Sequence, residues 1–300
     1  MRNEFCSAMV QQASRTDFVF LTGDLGFNAL EPLQKAAGSR FLNAGVAEQN
    51  MVSVAAGLAS TGLKPWVYSI APFVFARPLE QIRNDVCLHD LPVKLVGNGG
   101  GYAYGVMGAS HHAIEDYGIL LSLLNMRVFV PAFGSDISPV VDRLMGLSHP
   151  AYLRLGRDEA PRGLEVPTYA PWRKILPGEG PVLLLVGPLA GNLLRPFLEK
   201  PHSERPRAWV ISELPVEEKN LPAEFLSDLR ESGHLMVAEE HVAHGSVGEA
   251  LIRCLALKGE GPKRFSHFYA KGYLSRYYGS QQFHREECGL TPENILKEMK

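Results

Sequence analysis

The chain has 300 residues, 46% hydrophobic and 21% charged, enough to build one large or two medium globular cores. A formal net charge of -2 leaves no electrostatic footprint for nucleic acid or an anionic membrane, so neither is expected as a partner. No apolar run approaches a bilayer span, and Cys6, Cys87, Cys254 and Cys288 show no CxxC pairing, which points away from a zinc site or disulfide framework and toward a reducing cytoplasm.

The first ten residues carry Glu4 and no long apolar core, so they predict a short amphipathic helix and not a signal peptide. Residues 18–21 read as a buried strand ending in the turn Thr22-Gly-Asp-Leu25. Further strands are predicted at 65–68, 92–96, 127–131 and 151–155, with helices at 51–60, 78–89, 114–123 and 135–147. That alternation predicts an α/β fold with a mostly parallel sheet. From Arg157 the chain turns rich in proline and charge, which reads as a linker. A second α/β pattern follows, with strands at 182–186, 208–211, 235–238 and 265–269 and helices at 246–257 and 291–300. The expected organisation is two α/β domains, 1–158 and 179–300, joined by a linker over 159–178.

Three stretches carry candidate chemistry. Glu48 falls just inside the start of a small-residue helix and enters an apolar layer, where burial disfavours the charged form, raises the pKa and suits the group to passing a proton near neutral pH. A helix N-terminal Glu favoured by the dipole is the alternative. The glycine-rich run from Gly97 to Asp116 lets backbone approach a ligand and then presents Ser110, His111, His112, Glu115 and Asp116. Leu153-Arg-Leu-Gly-Arg157 ends the last strand of the first half, where α/β proteins place ligand groups, although Arg157 could equally serve a surface salt bridge.

The string Gly45-Val-Ala-Glu-Gln49 resembles the G-[VI]-x-E-[QH] motif of pyrimidine-binding domains in thiamine-diphosphate enzymes of the transketolase superfamily. The resemblance implies that Glu48 bonds N1′ of the aminopyrimidine and activates the cofactor; Asp would be about one methylene short and Gln could not share the proton. It makes Phe73 the ring that stacks on the pyrimidine, with Phe75 in reserve. Glu80-Gln-Ile-Arg83 matches the family's [DE]-Q-[IV]-R helix, placing Gln81 among the cofactor-binding residues. Asp24 matches a family acid near the cofactor, or is simply a turn Asp. Residues 97–116 resemble the family substrate loop, which makes His111 the catalytic, substrate-facing imidazole, with His112, Met107 and Arg157 as further substrate contacts. The planar fork of Arg157 suits a phosphate. Met107 and Gly99 stand where the family carries a hydroxyl-binding Asp and a His, so a changed sugar preference is expected. In the second half, Ala238-Glu-Glu-His241 and Gly289-Leu-Thr-Pro-Glu-Asn-Ile295 resemble the family's C-terminal domain. There Glu239, Glu240 and His241 are expected at an interface that buttresses a dimer.

The family's G-D-G with a downstream Asn, which holds the diphosphate and its metal, has no counterpart; Gly23-Asp-Leu25 lacks the second glycine. No metal ligand is therefore expected in this chain. The resemblance implies a split enzyme in which a separate N-terminal diphosphate-binding subunit binds Mg or Ca, thiamine diphosphate is shared with it, and the assembly is an α2β2 heterotetramer. The expected reaction moves a two-carbon ketol unit from a ketose, phosphorylated or modified, to an aldehyde. Alternatives are a 2-oxoacid dehydrogenase β-type or deoxyxylulose-phosphate-synthase-like subunit, or a non-catalytic scaffold.

Overall fold

The computed structural model describes residues 1–300. Its first half runs α1 (Arg2–Gln12), β1 (Phe18–Thr22), α2 (Glu31–Ala37), β2 (Phe41–Asn43), α3 (Glu48–Ser60), β3 (Lys64–Ile70), α4 (Ala71–Phe75), α5 (Leu79–Gln81), β4 (Lys94–Asn98), α6 (Asp116–Leu121), β5 (Arg127–Phe129), α7 (Ile137–Gly146) and β6 (Ala151–Leu155). The second half runs β7 (Trp172–Leu176), β8 (Val182–Val186), α8 (Leu189–Leu194), β9 (Arg207–Ile211), β10 (Glu213–Leu214), α9 (Ala223–Ser232), β11 (His234–Ala238), α10 (Val247–Lys258), β12 (Arg264–Phe268), α11 (Gln281–Cys288) and α12 (Pro292–Glu298).

Two sheets result, in the orders β10-β5-β6-β4-β3-β1-β2 and β12-β11-β8-β9-β7. All pairings are parallel except β10 on β5 and β7 on β9, so the architecture is α/β as expected. Every residue of β1, β6, β8 and β11 is buried, the mark of parallel strands covered on both faces. Small residues of α3, including Ala55, Ala56 and Ala59, are buried in the layer that covers one face, while Phe5 and Met9 of α1 pack with Val140 and Leu144 of α7 in the core on the other. No helix is long and apolar enough to cross a membrane.

Two features depart from the expected elements. The stretch read as a linker contains β7, whose Arg173 is buried and paired with Asp136 at 2.7 Å. A charge facing inward hides the alternation that would mark the strand. The helix expected over 78–89 breaks into the short α5 and a π-helical turn, Ile82–Cys87.

Glu239, Glu240 and His241 join the two halves of this chain to each other. Glu239 accepts from the backbone of Val247 and Gly248, from His267 and from the Tyr117 phenol of α6. Burial alone would push its carboxyl pKa up, but the hydrogen bond and charge of His267 hold it below the usual value. Glu240 pairs with Arg285, which also reaches Glu159 at 2.7 Å. His241 accepts from the Gly118 N–H at 3.1 Å.

Candidate active site

All parallel strands of the first sheet point the same way, so the segments leaving β1, β2, β3, β4 and β6 gather at one end, where open α/β sheets hold ligands. Glu48 is the first residue of α3 and only 4% exposed, and it opens on a hollow of about 450 Å³ lined by residues 46–50 and Arg77. Arg77 is an unexpected member of the site. Its Nη1 donates to Glu48 Oε1 at 2.8 Å, and its guanidinium carbon lies 3.8 Å from the Phe73 ring centroid. The cause is local: α4 continues as a helical turn, with the Ala76 N–H bonded to Pro72 O at 3.0 Å, and residues four apart on a helical turn meet. Phe73 in turn meets the His111 ring edge-on at 5.2 Å between centroids. Glu48, Phe73 and His111 are thus brought together, with Arg77 between the first two.

Phe75 is not available to stack on a ligand, because it is 3% exposed within the apolar core. Gln81 is half-buried, with Oε1 buried and unpartnered. Asp24 adopts φ +57 in the turn after β1 and is tied to Asn43, which donates to its Oδ1 at 2.9 Å.

The 97–116 loop is pinned at its base. Gly99 and Gly100 N–H groups both donate to Leu155 O at 3.0 Å, and Gly101 and Ala113 exchange backbone bonds at 2.9 Å. Buried Arg154 holds Ala113 O at 2.7 Å, Glu240 O at 2.9 Å and Asp116 at 3.0 Å. Within this frame the adjacent histidines have opposite fates. His111 is half-buried, with Nδ1 3.0 Å from Ser110 Oγ. His112 is 3% exposed, and both its nitrogens are used inside the fold, Nε2 by Gly105 O at 2.8 Å and Nδ1 by the Tyr273 hydroxyl at 3.0 Å. Burial lowers its pKa, so it is a structural neutral imidazole and not a substrate contact. Met107 is exposed on the turn Gly105–Met107.

Gly99 takes φ +78, and a Cβ there would fall inside the ring of Tyr104. Tyr104 therefore fills the space beside Gly99, accepts from Asn98 Nδ2 at 2.9 Å and stands 5.8 Å from the His111 ring. Burial raises its pKa, which keeps the phenol a neutral donor. With Arg157, Arg2, Asn98 and Gly99 it lines a hollow of about 640 Å³. Arg2 gives no signal in the sequence; only folding α1 beside the end of β6 puts it near Arg157. Larger hollows, of about 830 and 870 Å³, contain none of Glu48, Phe73, His111 or Arg157.

A buried carboxylate beside an aromatic face suits a flat ring carrying an in-plane N–H, and the guanidinium of Arg77 already makes both of those contacts. A parallel α/β sheet with such a slot at its ligand end agrees with the class of pyrimidine-binding domains. The chain belongs to the transketolase family: the profile of the transketolase pyrimidine-binding domain matches residues 7–162. It is 30% identical over 267 residues to one subunit of an apulose-4-phosphate transketolase from Phocaeicola vulgatus, covering 85% of this chain and 83% of that one. A 1-deoxy-D-xylulose-5-phosphate synthase from Myxococcus xanthus is 32% identical over 90% of this chain, which spans only 46% of the synthase. Among solved structures, a split-gene transketolase described as an inactive β4 tetramer superposes with a TM-score of 0.81 and 28% identity, covering 99% of this chain and 97% of the other. The chain thus corresponds to the C-terminal subunit of a two-component, thiamine-diphosphate-dependent transketolase-like transferase.

Proposed function

We propose that this chain supplies the pyrimidine half of a shared active site and that a separate N-terminal subunit supplies the diphosphate and divalent-metal half, in an α2β2 assembly. The observation that carries the reading is the buried Glu48 carboxylate facing the 450 Å³ hollow with Phe73 and His111 in series behind Arg77. Thiamine diphosphate, when bound, supplies the thiazolium carbon that takes a two-carbon ketol unit from a ketose and passes it to an aldehyde. Glu48 holds and shares the proton at N1′ of the pyrimidine. Phe73 gives that ring its stacking face, and Asp24 and Gln81 are assigned to the rim of the same slot. His111, with Nε2 free of partners in the chain, orients substrate oxygen. Arg157 and Arg2 line one hollow together with Glu4 and Asp158, and neither arginine is ion-paired there, so the two guanidinium groups are assigned to a substrate phosphate or other anion. A relative named for apulose 4-phosphate fits a phosphorylated sugar.

The test is Glu48→Gln assayed with the partner subunit. Turnover is expected to fall at least about a hundredfold, in the range of lost acid–base catalysis, and unchanged turnover would refute the assignment. The isolated chain is expected to bind thiamine diphosphate weakly, so tight binding by this chain alone would refute the shared site. The synthase-like reading keeps one support, the resemblance to the Myxococcus xanthus enzyme. Pyruvate consumption with release of carbon dioxide would favour it over ketol transfer.

A further inference from the structure

Arg77 occupies the two contacts that a pyrimidine ring would need. Its Nη1 sits 2.8 Å from Glu48 Oε1, and its plane covers Phe73 at 3.8 Å from the centroid. An aminopyrimidine placed against the same carboxylate and the same ring face presents the same pair of features, an in-plane N–H and a flat π surface. The two compete, because Arg77 already takes Oε1 of the carboxylate and lies over one face of the Phe73 ring.

Arg77 is built to leave. It lies in the break between α4 and α5, immediately before Pro78, and its side chain is 44% exposed while that of Glu48 is 4% exposed. No second carboxylate in the chain pairs with it, so the long side chain can swing to water while Glu48 and Phe73 stay fixed by α3 and α4. Without a guanidinium, the buried Glu48 charge would have no compensating partner before the cofactor arrives.

Resting on the reading that Glu48 and Phe73 hold the pyrimidine, we infer that Arg77 is a resident occupant of the pyrimidine slot, which competes with the cofactor and sets how fast and how tightly it binds. The residue acts by positioning and release, and takes no part in the chemistry after it leaves.

The test follows thiamine diphosphate binding to the assembled two-subunit complex by stopped-flow fluorescence and by calorimetry, with no turnover involved. Arg77→Met keeps most of the side-chain length and removes the charge and the flat cation. It is expected to bind the cofactor about fivefold faster and tighter, the loss expected of one exposed ion pair plus one cation–π contact. Arg77→Lys, which keeps the charge but loses the flat fork, is expected to fall between the wild type and Arg77→Met. Equal or weaker cofactor binding by Arg77→Met would overturn the inference. Glu48→Gln separates the two levels: if it weakens cofactor binding while Arg77→Met does not strengthen it, the occupant role alone fails. If Glu48→Gln leaves cofactor affinity unchanged, the pyrimidine-site reading fails with it.

Discussion

The imidazole of His241 lies flat on the ring of Tyr117, with centroids 3.8 Å apart. Tyr117 stands one residue after Asp116, where the glycine-rich loop ends and α6 begins, so this stack couples that loop to the second sheet. The Tyr117 phenol donates to Glu239, which also collects two backbone N–H groups of α10. Glu239→Ala leaves several buried donors unpaired and is expected to cost about 3 kcal/mol or more. Tyr117→Phe, which removes one hydroxyl, is expected to cost about 1 kcal/mol. Urea midpoints at constant m-value measure both, and unchanged midpoints would show that the seam does not hold the halves together.

Gly99 and Tyr104 form one packing unit, in which the ring of Tyr104 fills the space a Cβ at residue 99 would need. Gly99→Ala both strains a left-handed backbone and drives a methyl into the phenol ring, so a loss of about 1–3 kcal/mol is expected. Tyr104→Phe keeps the ring and should leave stability within about 1 kcal/mol. Because the phenol hydrogen has no acceptor in the chain while its oxygen accepts from Asn98, the same variant should raise the substrate KM and leave cofactor affinity alone. Steady-state kinetics and calorimetry on the reconstituted enzyme separate these outcomes.

Arg157 and Arg2 should act on one part of the substrate. Replacing either by Ala is expected to raise KM about tenfold for a ketose phosphate and to change it little for the unphosphorylated ketose. An equal effect on both sugars would remove the anion assignment.

Lys94 is 1% exposed, and its ammonium group faces the carbonyls of Leu147 and His149 at 2.9 and 2.7 Å. Burial pulls its pKa from 10.5 down to about 7. Between those values the unfolded chain keeps a proton that the folded chain has released, so stability rises with pH across that window and is lost as pH falls back toward 7. The contribution is on the order of 5 kcal/mol over the whole interval. Lys94→Met, compared with the wild type by denaturant titration from neutral to alkaline pH, should flatten the profile; an identical slope would contradict the shift.

Legibility in the sequence follows how each residue meets its surroundings. The strands β6 and β8 are readable to the residue, since 182–186 is an apolar run, 151–155 is apolar apart from Arg154, and both are buried throughout and sharply bounded. The helix α11 escapes such a reading because its buried residues are His284, Arg285 and Cys288, a polar stripe that periodicity does not register. At the site, the residues around Glu48 and Phe73 can be picked out by resemblance, but the choice between Phe73 and Phe75, or between His111 and His112, needs side-chain direction. One member of each pair turns inward. Arg77 has a readable cue in its four-residue spacing from Phe73, whereas Tyr104 and Arg2 become neighbours of Arg157 only through long-range packing.

The two-residue strand β10 belongs by sequence to the second half and by pairing to the first, where it lies antiparallel to β5. A fragment cut anywhere before Glu213 would leave Arg127–Phe129 with an open row of backbone donors and acceptors, a template for recruiting foreign chains. The folded protein therefore carries its own protection against aggregation on a segment far downstream of the edge it covers, and the first half expressed by itself should be the less soluble molecule.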